Sequence, residues 1–264
     1  MVDLPRLGLG RTAEVYDLGG GRVVKLLRAG FDTGMLEREG DKTRAAHRAG
    51  LAAPAAHGAV VIEGRAGQIF DRVDGELMLD EIRARPTRYR SLARVLAEVH
   101  ASVHAGRSND LPPLKARLAD QIDRADPLEG RLRRVAKDRL LSLADGDSVL
   151  HGDFHPGNVM LTGDHPVVID WLDASRGPPA ADVARTSWLL SAPAIEPGTP
   201  HRGVLVILVR AFRRRYLRSY RVAGSLDPRS LRDWRLPVLA ARLSEGVEHE
   251  TEPLLAEVDR LAGD

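Results

Sequence analysis

Short apolar segments separated by polar turns occupy the first third of the chain. Three consecutive glycines at residues 19–21 lie between two apolar segments and predict a hairpin, whose second strand covers residues 22–27. Residues 35–49 are highly charged and contain no proline, which predicts a helix that ends at Gly50. Two more strands are predicted around a turn at residues 63–65, namely residues 59–62 and residues 68–73.

Helical spacing dominates the chain after residue 75. Apolar residues recur three and four positions apart over residues 91–104 and predict a helix there. A second helical region, residues 115–143, is interrupted near Pro127. Between residues 149 and 169, short apolar pieces alternate with Gly, His, Asp and Pro, as in strands joined by a functional loop. The remainder is predicted to be helical apart from a proline-rich loop over residues 192–200.

This change of pattern predicts an α+β chain with a boundary after Val73. The first part, residues 1–73, is a small β-rich region, and the second part, residues 74–264, is larger and mainly helical. A chain of 264 residues is long enough to bury a core in each part.

Composition narrows the class of protein. The formal net charge is only +2, which gives no reason to expect nucleic-acid binding. Because cysteine is absent, disulfides and cysteine-ligated zinc are excluded. The first ten residues lack the pattern of a signal peptide, and the longest aliphatic run, residues 204–209, is too short to cross a bilayer. We therefore expect a cytoplasmic protein that acts without a membrane or nucleic acid.

Two segments of opposite charge lie in the last third of the chain. Residues 201–222 contain seven arginines and no carboxylate, and residues 244–264 contain seven carboxylates and one arginine. The favoured interpretation is two helix faces that are solvated or face each other. A second interpretation, which stays open, is that the acidic segment lines a pocket for a cationic substrate.

The most informative chemistry lies in two neighbouring segments. Residues 151–158 are His-Gly-Asp-Phe-His-Pro-Gly-Asn, and Asp170 follows an aliphatic run twelve residues after Asn158. Phosphoryl transfer requires a carboxylate that orients a hydroxyl group, oxygen ligands for Mg²⁺ and positive charge near the phosphates. Protein kinases place Asp, Asn and Asp in this same order along the chain.

These segments resemble the signature of the aminoglycoside phosphotransferase and choline kinase group, and residues 177–184 resemble that group's next landmark. The resemblance implies a bilobal, protein-kinase-like fold with a nucleotide-binding N-lobe and a C-lobe for catalysis and acceptor binding. It makes Asp153 the catalytic base, and Asn158 and Asp170 the metal ligands. In the same resemblance His151 matches a residue that buttresses the loop, and Asp182 matches a structural anchor rather than a catalyst. From their own positions, His155 beside the base is expected to shape the loop, and Asp173, one turn from Asp170, is a candidate to face the acceptor.

The N-terminal region contains a second, weaker resemblance. Residues 8–15 match a kinase glycine-rich loop with alanine in place of the third glycine. In such a loop Gly8 and Gly10 allow the backbone to approach phosphates closely, Thr12 offers a hydroxyl group, and Val15 covers the base.

Lys25 lies in an apolar strand ten residues after Val15, where a kinase would hold the α- and β-phosphates. Such a lysine needs a carboxylate partner, for which we prefer Glu39 over Glu37. The base is expected to dock on backbone groups of the linker 70–73, which includes Asp71 and Val73.

The sequence thus predicts a small-molecule kinase that uses Mg²⁺ and ATP, or GTP, to phosphorylate a hydroxyl group. The resemblance admits aminoglycosides, choline-like compounds, amino alcohols and sugars as acceptors, and the acidic segment favours a cationic one. Three alternatives stay open: a non-catalytic nucleotide-binding protein, a metallohydrolase built on the His and Asp residues, and a protein kinase, which the missing Ala-Pro-Glu segment disfavours.

Overall fold

The computed structural model describes residues 4–163 and 165–263. These residues form two compact units. The first runs through Glu81 and also includes Pro156–Ala174, and the second comprises Ile82–His155 and the chain from Ser175 onward. The sequence pattern predicts one division, after Val73, whereas the two units are divided at three points along the chain, after Glu81, His155 and Ala174. The assignment of nucleotide and acceptor binding to the two parts stays a prediction.

The strands and α-helices of the described residues are, in chain order, β1 (Arg6–Leu9), β2 (Ala13–Gly19), β3 (Arg22–Leu27), α1 (Met35–Arg48), β4 (Ala56–Ile62), β5 (Arg65–Asp71), β6 (Glu76–Leu77), α2 (Met78–Ala84), α3 (Tyr89–Ala105), α4 (Leu114–Arg124), α5 (Gly130–Ser142), β7 (Ser148–Leu150), β8 (Val159–Leu161), β9 (Val167–Val168), β10 (Ser175–Gly177), α6 (Pro179–Leu189), α7 (Arg202–Ala223), α8 (Pro228–Arg242) and α9 (Glu248–Gly263). None of these helices is both long and apolar enough to cross a bilayer.

The first unit is built on an antiparallel sheet in the order β1-β2-β3-β5-β4. The hairpin predicted at residues 19–21 is confirmed, and all three glycines have positive φ. Helix α1 ends as predicted: Gly50 has φ +77°, and the next N–H, from Leu51, donates to the carbonyl of Ala46.

The predicted bounds of β4 and β5 were wrong. Strand β4 begins three residues earlier than expected, and β5 covers Arg65–Asp71, so Val73 lies outside it. Ile62 pairs directly with Arg65, which leaves a two-residue turn at residues 63–64 with positive φ at both positions. Because this turn has only two residues, β5 begins at Arg65, three residues before the predicted start at residue 68.

A small second sheet joins residues 156–174 to the first unit. Strand β8 pairs with β6 on one side and β9 on the other, and the Val168 N–H donates to the Ala52 carbonyl at 2.8 Å. Gly75 precedes β6 and touches β8. A Cβ atom there would lie only 2.9 Å from the carbonyl carbon of Leu161 and closer still to its oxygen.

The second unit is mainly helical. Helix α3 packs against α7, and α8 packs against α4, α5, α6 and α9. The predicted break near Pro127 is confirmed, because α4 ends at Arg124 and α5 begins at Gly130. Strands β7 and β10 form a short antiparallel pair that leads into residues 151–155.

A buried polar cluster lies between α3, α6 and α7. The Nδ1 atoms of His100 and His104 face the hydroxyl groups of Tyr216 and Tyr220 respectively, with 2.7 Å for the first pair. The Nε2 atoms lie 3.2 and 3.3 Å from Oδ2 of Asp182. Burial and the neighbouring His104 lower the pKa of His100 to about 3, so this ring is neutral at pH 7.

Asp182 connects this cluster to the loop at residues 151–153. Its carboxylate also accepts hydrogen bonds from the backbone N–H groups of His151, at 2.7 Å, and Gly152, at 3.0 Å. The ligand atoms of His100, His104 and Asp182 are close enough to hold a metal ion. However, all four imidazole nitrogens already have hydrogen-bonding partners, so we interpret the cluster as a structural network.

Gly75→Ala is expected to lower the free energy of unfolding by about 1–3 kcal/mol, because the new methyl group collides with backbone rather than with a flexible side chain. Urea unfolding measures this. Gly163→Ala, two residues after the same end of β8, is the control, since a Cβ there meets nothing within 4 Å. Equal stability of the two variants would contradict the close approach.

Asp182→Asn is expected to cost about 2–4 kcal/mol of stability, because an amide NH₂ group cannot replace a carboxylate oxygen that accepts several hydrogen bonds. Thermal and urea unfolding give the change. The control is Asp227→Asn at the N-terminus of α8, where asparagine caps a helix equally well. A loss of similar size in both variants would argue against a special role for Asp182.

Candidate active site

Lys25 is the centre of a charged cluster in the first unit. It lies on β3 between Val24 and Leu26, which are both fully buried. Because neighbouring strand residues point to opposite faces, the Lys25 side chain leaves the apolar core. Its Nζ atom donates to both oxygens of Glu39 at 2.8 Å and to Oδ1 of Asp170 at 3.2 Å.

Helix α1 supplies the partner that the sequence analysis prefers. Glu39 is buried, whereas Glu37, two residues earlier on the same helix, is exposed. Lys42, three residues after Glu39, donates from Nζ to the carbonyl of Leu172 at 2.6 Å. The same face of α1 therefore contacts both Lys25 and the segment after β9. Sequence reasoning missed Lys42, although its spacing from Glu39 places both on one helical face.

The cluster carries more negative than positive charge. Burial alone would lower the pKa of Lys25, but the carboxylates of Glu39 and Asp170 raise it above its ordinary value. Burial raises the pKa of Glu39 to about 7; Lys25 opposes this change, and the carboxylates of Asp170 and Asp173 add to it. Glu39 and Asp170 thus both act on the one ammonium group of Lys25, and Asp173 acts on Glu39, so a further cation at this place is electrostatically favourable.

The hairpin β8–β9 brings the two predicted metal ligands to one end of a sheet. Asn158 immediately precedes β8, Asp170 follows β9 by two residues, and the Ile169 N–H donates to the Asn158 carbonyl at 3.0 Å. Asp170 has φ +64°, a left-handed conformation that costs about 1–3 kcal/mol for a residue with a Cβ. Its side chain is 42% exposed. One amide and one carboxylate offer the oxygen ligands that Mg²⁺ prefers, so this donor set fits the ion.

The predicted glycine-rich loop forms the β1–β2 hairpin. Gly8 pairs with Val15 across the two strands, and the Gly10 N–H donates to the Ala13 carbonyl at 2.9 Å. Thr12 is half-buried in the turn, and its carbonyl accepts from the Arg28 N–H at 2.8 Å. The structure thus provides an ordered backbone here, and phosphate binding by it stays a prediction.

The predicted linker begins at the end of β5. The Asp71 carboxylate lies 2.5 Å from Nε2 of His57, and its N–H donates to the Ala55 carbonyl at 2.9 Å. Val73 follows as a half-buried residue outside the strand. A role of either residue at the nucleotide base stays a prediction.

Asp153 lies in the second unit, on the loop after β7. Its Oδ1 atom is 3.4 Å from a guanidinium nitrogen of Arg185, and its Oδ2 atom is 3.5 Å from Nε2 of His155. Burial would raise the pKa of Asp153, but the hydrogen bond from His155 and the positive charge of Arg185 hold it far below its usual range. The carboxylate is therefore ionised at neutral pH.

His151 supports this loop from beneath. Its side chain is fully buried, its Nδ1 atom accepts a hydrogen bond from the Asp153 N–H at 3.2 Å, and its ring contacts the edge of Phe154. The hydrogen bond from the Asp153 N–H occupies Nδ1, one of the two ring nitrogens that could bind a metal ion in a metallohydrolase. Sequence reasoning missed Arg185, which is buried beside Asp153 on α6.

The predicted site residues thus fall into two groups. His151, Asp153, His155 and Asp182 belong to the second unit, and the others belong to the first. Within the first unit, direct hydrogen bonds join Lys25, Glu39 and Asp170, and the Asp173 carboxylate acts on Glu39 through its charge.

Comparison with solved structures establishes the fold. A choline/ethanolamine kinase family protein from Mesorhizobium loti is 17% identical with a TM-score of 0.63, covering 98% of this chain and 87% of that chain. The ADP-bound aminoglycoside phosphotransferase APH(2'')-Ib is 17% identical with a TM-score of 0.58, covering 98% and 92%. An amicoumacin kinase in complex with AMP-PNP, Ca²⁺ and Ami is 14% identical with a TM-score of 0.58, covering 98% and 87%. These likenesses confirm the predicted α+β, protein-kinase-like fold.

Sequence comparison identifies the family. No curated protein matches the chain significantly. The model of the phosphotransferase enzyme family, APH, matches residues 3–234. Because that match covers most of the 264 residues, the chain belongs to the phosphotransferase enzyme family.

Proposed function

We propose that this protein is a small-molecule kinase that transfers the γ-phosphoryl group of ATP or GTP to a hydroxyl group. The observation that carries the proposal is the cluster in which Lys25 binds both Glu39 and Asp170. Kinases of this architecture need such a lysine–glutamate pair, together with an aspartate that holds the metal ion. Membership of the phosphotransferase family supports the same reaction.

In this proposal the first unit binds the nucleotide. Lys25 contacts the non-transferred phosphates, Glu39 keeps its ammonium group in place, and Gly8, Gly10 and Thr12 present backbone and hydroxyl groups to phosphate oxygens. Asn158 and Asp170 hold Mg²⁺, which when bound neutralises negative charge on the phosphates. The surplus of carboxylates around Lys25 favours that cation.

In this proposal Asp153 binds and activates the hydroxyl group of the acceptor. Its ionised carboxylate accepts a hydrogen bond from the acceptor hydroxyl, orients the oxygen towards the γ-phosphorus and receives the proton. A new oxygen–phosphorus bond forms, the bond between the γ-phosphorus and the β–γ bridging oxygen breaks, and ADP or GDP leaves.

The structural relatives support both nucleotides. One is described as a ternary complex of APH(2'')-IIa with streptomycin and ATP, and another as a GDP complex of an aminoglycoside 2'-phosphotransferase. We propose ATP as the donor to test first and GTP beside it. The acceptor is proposed to be a small hydroxylated molecule.

The acidic segment gives little support for a cationic acceptor. Four of its carboxylates are already paired with arginine: Glu245 with Arg185 and Arg242, Glu250 with Arg242, Glu257 with Arg235, and Asp259 with Arg131. Neutral sugars therefore belong in the panel beside aminoglycosides, choline and amino alcohols.

Purified protein with Mg·ATP or Mg·GTP is expected to release ADP or GDP in the presence of one acceptor class from this panel. Asp153→Asn is expected to lower the rate by about 10²–10⁴-fold, because the acceptor proton loses its base. A coupled assay measures release. The control is Asp147→Asn, which changes an exposed aspartate of the same unit and should leave the rate unchanged. A fully active Asp153→Asn variant would reject the proposed base.

Glu39→Gln is expected to lower kcat/KM for the nucleotide by about 10–100-fold, because Lys25 loses the carboxylate that holds it. The matched control is Glu37→Gln on the same helix, whose side chain is exposed and which should retain wild-type values. Initial rates over a range of nucleotide concentrations measure both variants. Similar losses in the two would show that Glu39 has no particular role.

A further inference from the structure

A buried chain of alternating charges leads away from Asp153 through the second unit. Arg185 bonds Asp153 through one terminal nitrogen and Oε1 of Glu245, at 2.5 Å, through the other. Arg242 lies 2.5 Å from Oε2 of Glu245 and makes two hydrogen bonds, of 2.8 and 3.1 Å, to Glu250. Each charge in the chain is thus followed by one of opposite sign.

These groups are sequestered from water, so their pairing matters. The side chains of Arg185, Arg242 and Glu250 are 10%, 9% and 3% exposed. A buried ion is tolerated only when partners replace the water it has lost. This series of alternating charges ends at Glu250, which also accepts a hydrogen bond from the indole N–H of Trp188 at 2.6 Å.

The position of Arg185 on α6 explains why it reaches the loop. It follows Asp182 by three residues, so the two side chains lie on the same face of the helix. Asp182 accepts the backbone N–H groups of His151 and Gly152, and Arg185 contacts the side chain of the next residue, Asp153. Two residues of one helical turn therefore hold the loop: Asp182 binds its main chain, and Arg185 binds the carboxylate of Asp153.

We propose that Arg185 is a positioning residue for Asp153, an inference that rests on the proposed kinase function. Arg185 engages Oδ1 while His155 lies 3.5 Å from Oδ2, and the contact with Arg185 fixes the rotation of the carboxylate that receives the acceptor hydroxyl. Glu245 and Arg242 hold the guanidinium group in turn.

An arginine suits this position because its planar fork can bind two carboxylates at once. The charged or titratable groups that act on Asp153 within the second unit are His151, His155, Arg185 and Glu245. Burial would raise the pKa of Glu245, but Arg185 and Arg242 lower it. Without Arg185, two carboxylates would face each other without a cation between them, which raises the pKa of Asp153.

The decisive variants are Arg185→Gln and Arg185→Lys. Arg185→Gln is expected to lower kcat by about 10–100-fold through misplacement of the base, with the nucleotide KM unchanged. It should also move the acidic limb of the kcat profile to higher pH, because Asp153 is then protonated at a higher pH. Arg185→Lys keeps the charge and should restore the pH profile but only part of kcat. Arg235→Gln, which breaks a separate arginine–glutamate pair, is the control.

A double-variant cycle separates positioning from general stability. In an Asp153→Asn background, Arg185→Gln should have little further effect on kcat, since the carboxylate it positions is gone. An equal loss of kcat in both backgrounds, with an unchanged pH profile, would show that Arg185 only stabilises the fold and would overturn the proposal.

A measurement without turnover keeps this inference separate from the proposed function. Carboxyl ¹³C NMR of the protein, with Asp153 assigned from the Asp153→Asn spectrum, reports its ionisation directly. Asp153 should titrate at a higher pH in Arg185→Gln than in the wild type. Identical titration would overturn the inference whatever the assay shows. A raised titration in a protein that phosphorylates no acceptor would uphold the pairing and count against the kinase proposal alone.

Discussion

Four hydrogen bonds converge on the buried carboxylate of Asp182, two from histidine side chains and two from backbone N–H groups of the loop at residues 151–153. Burial would make such a carboxylate costly, but the hydrogen bonds from His100 and His104 hold its pKa well below its usual range. The arrangement ties α3 and α6 to the loop. Every other feature around Asp153 depends on it, because the loop backbone must be fixed before a side chain on it can be aimed.

Each unit uses a cation to hold carboxylates that belong to the proposed site. In the first unit the ammonium group of Lys25 lies between Glu39 and Asp170, and in the second the guanidinium group of Arg185 lies between Asp153 and Glu245. A lysine gathers ligands around a single point, whereas an arginine fixes the plane of the groups it contacts. That difference suits a phosphate-binding group in the first case and an oriented base in the second.

Much of the fold could be predicted from the sequence because local chemistry determines it. The glycines at residues 19–21 allow a turn with positive φ. The choice of Glu39 over Glu37 rests instead on a resemblance, because its spacing from Gly50 matches the placement in the phosphotransferase family. The roles of Asp153, Asn158 and Asp170 rest on a resemblance and stay predictions. Arg185 could not be found, because an arginine on a helix is usually solvated and only tertiary packing buries this one. The return of residues 156–174 to the first unit was missed for the same reason, since it depends on strand pairing between distant segments.

The enclosure of Lys25 has a consequence for chemical labelling. The sequence contains only four lysines, and each has a partner: Lys25 has Glu39, Lys42 has the Leu172 carbonyl, Lys115 has the Leu143 carbonyl, and Lys137 has Asp123. Amine-directed reagents attack the neutral amine, and a raised pKa keeps Lys25 protonated. Lys137 should therefore acylate before Lys115 and Lys25, because its side chain is 38% exposed compared with 20% and 15% for the other two. A dye or surface tether could be attached there while the ammonium group of Lys25 remains unmodified.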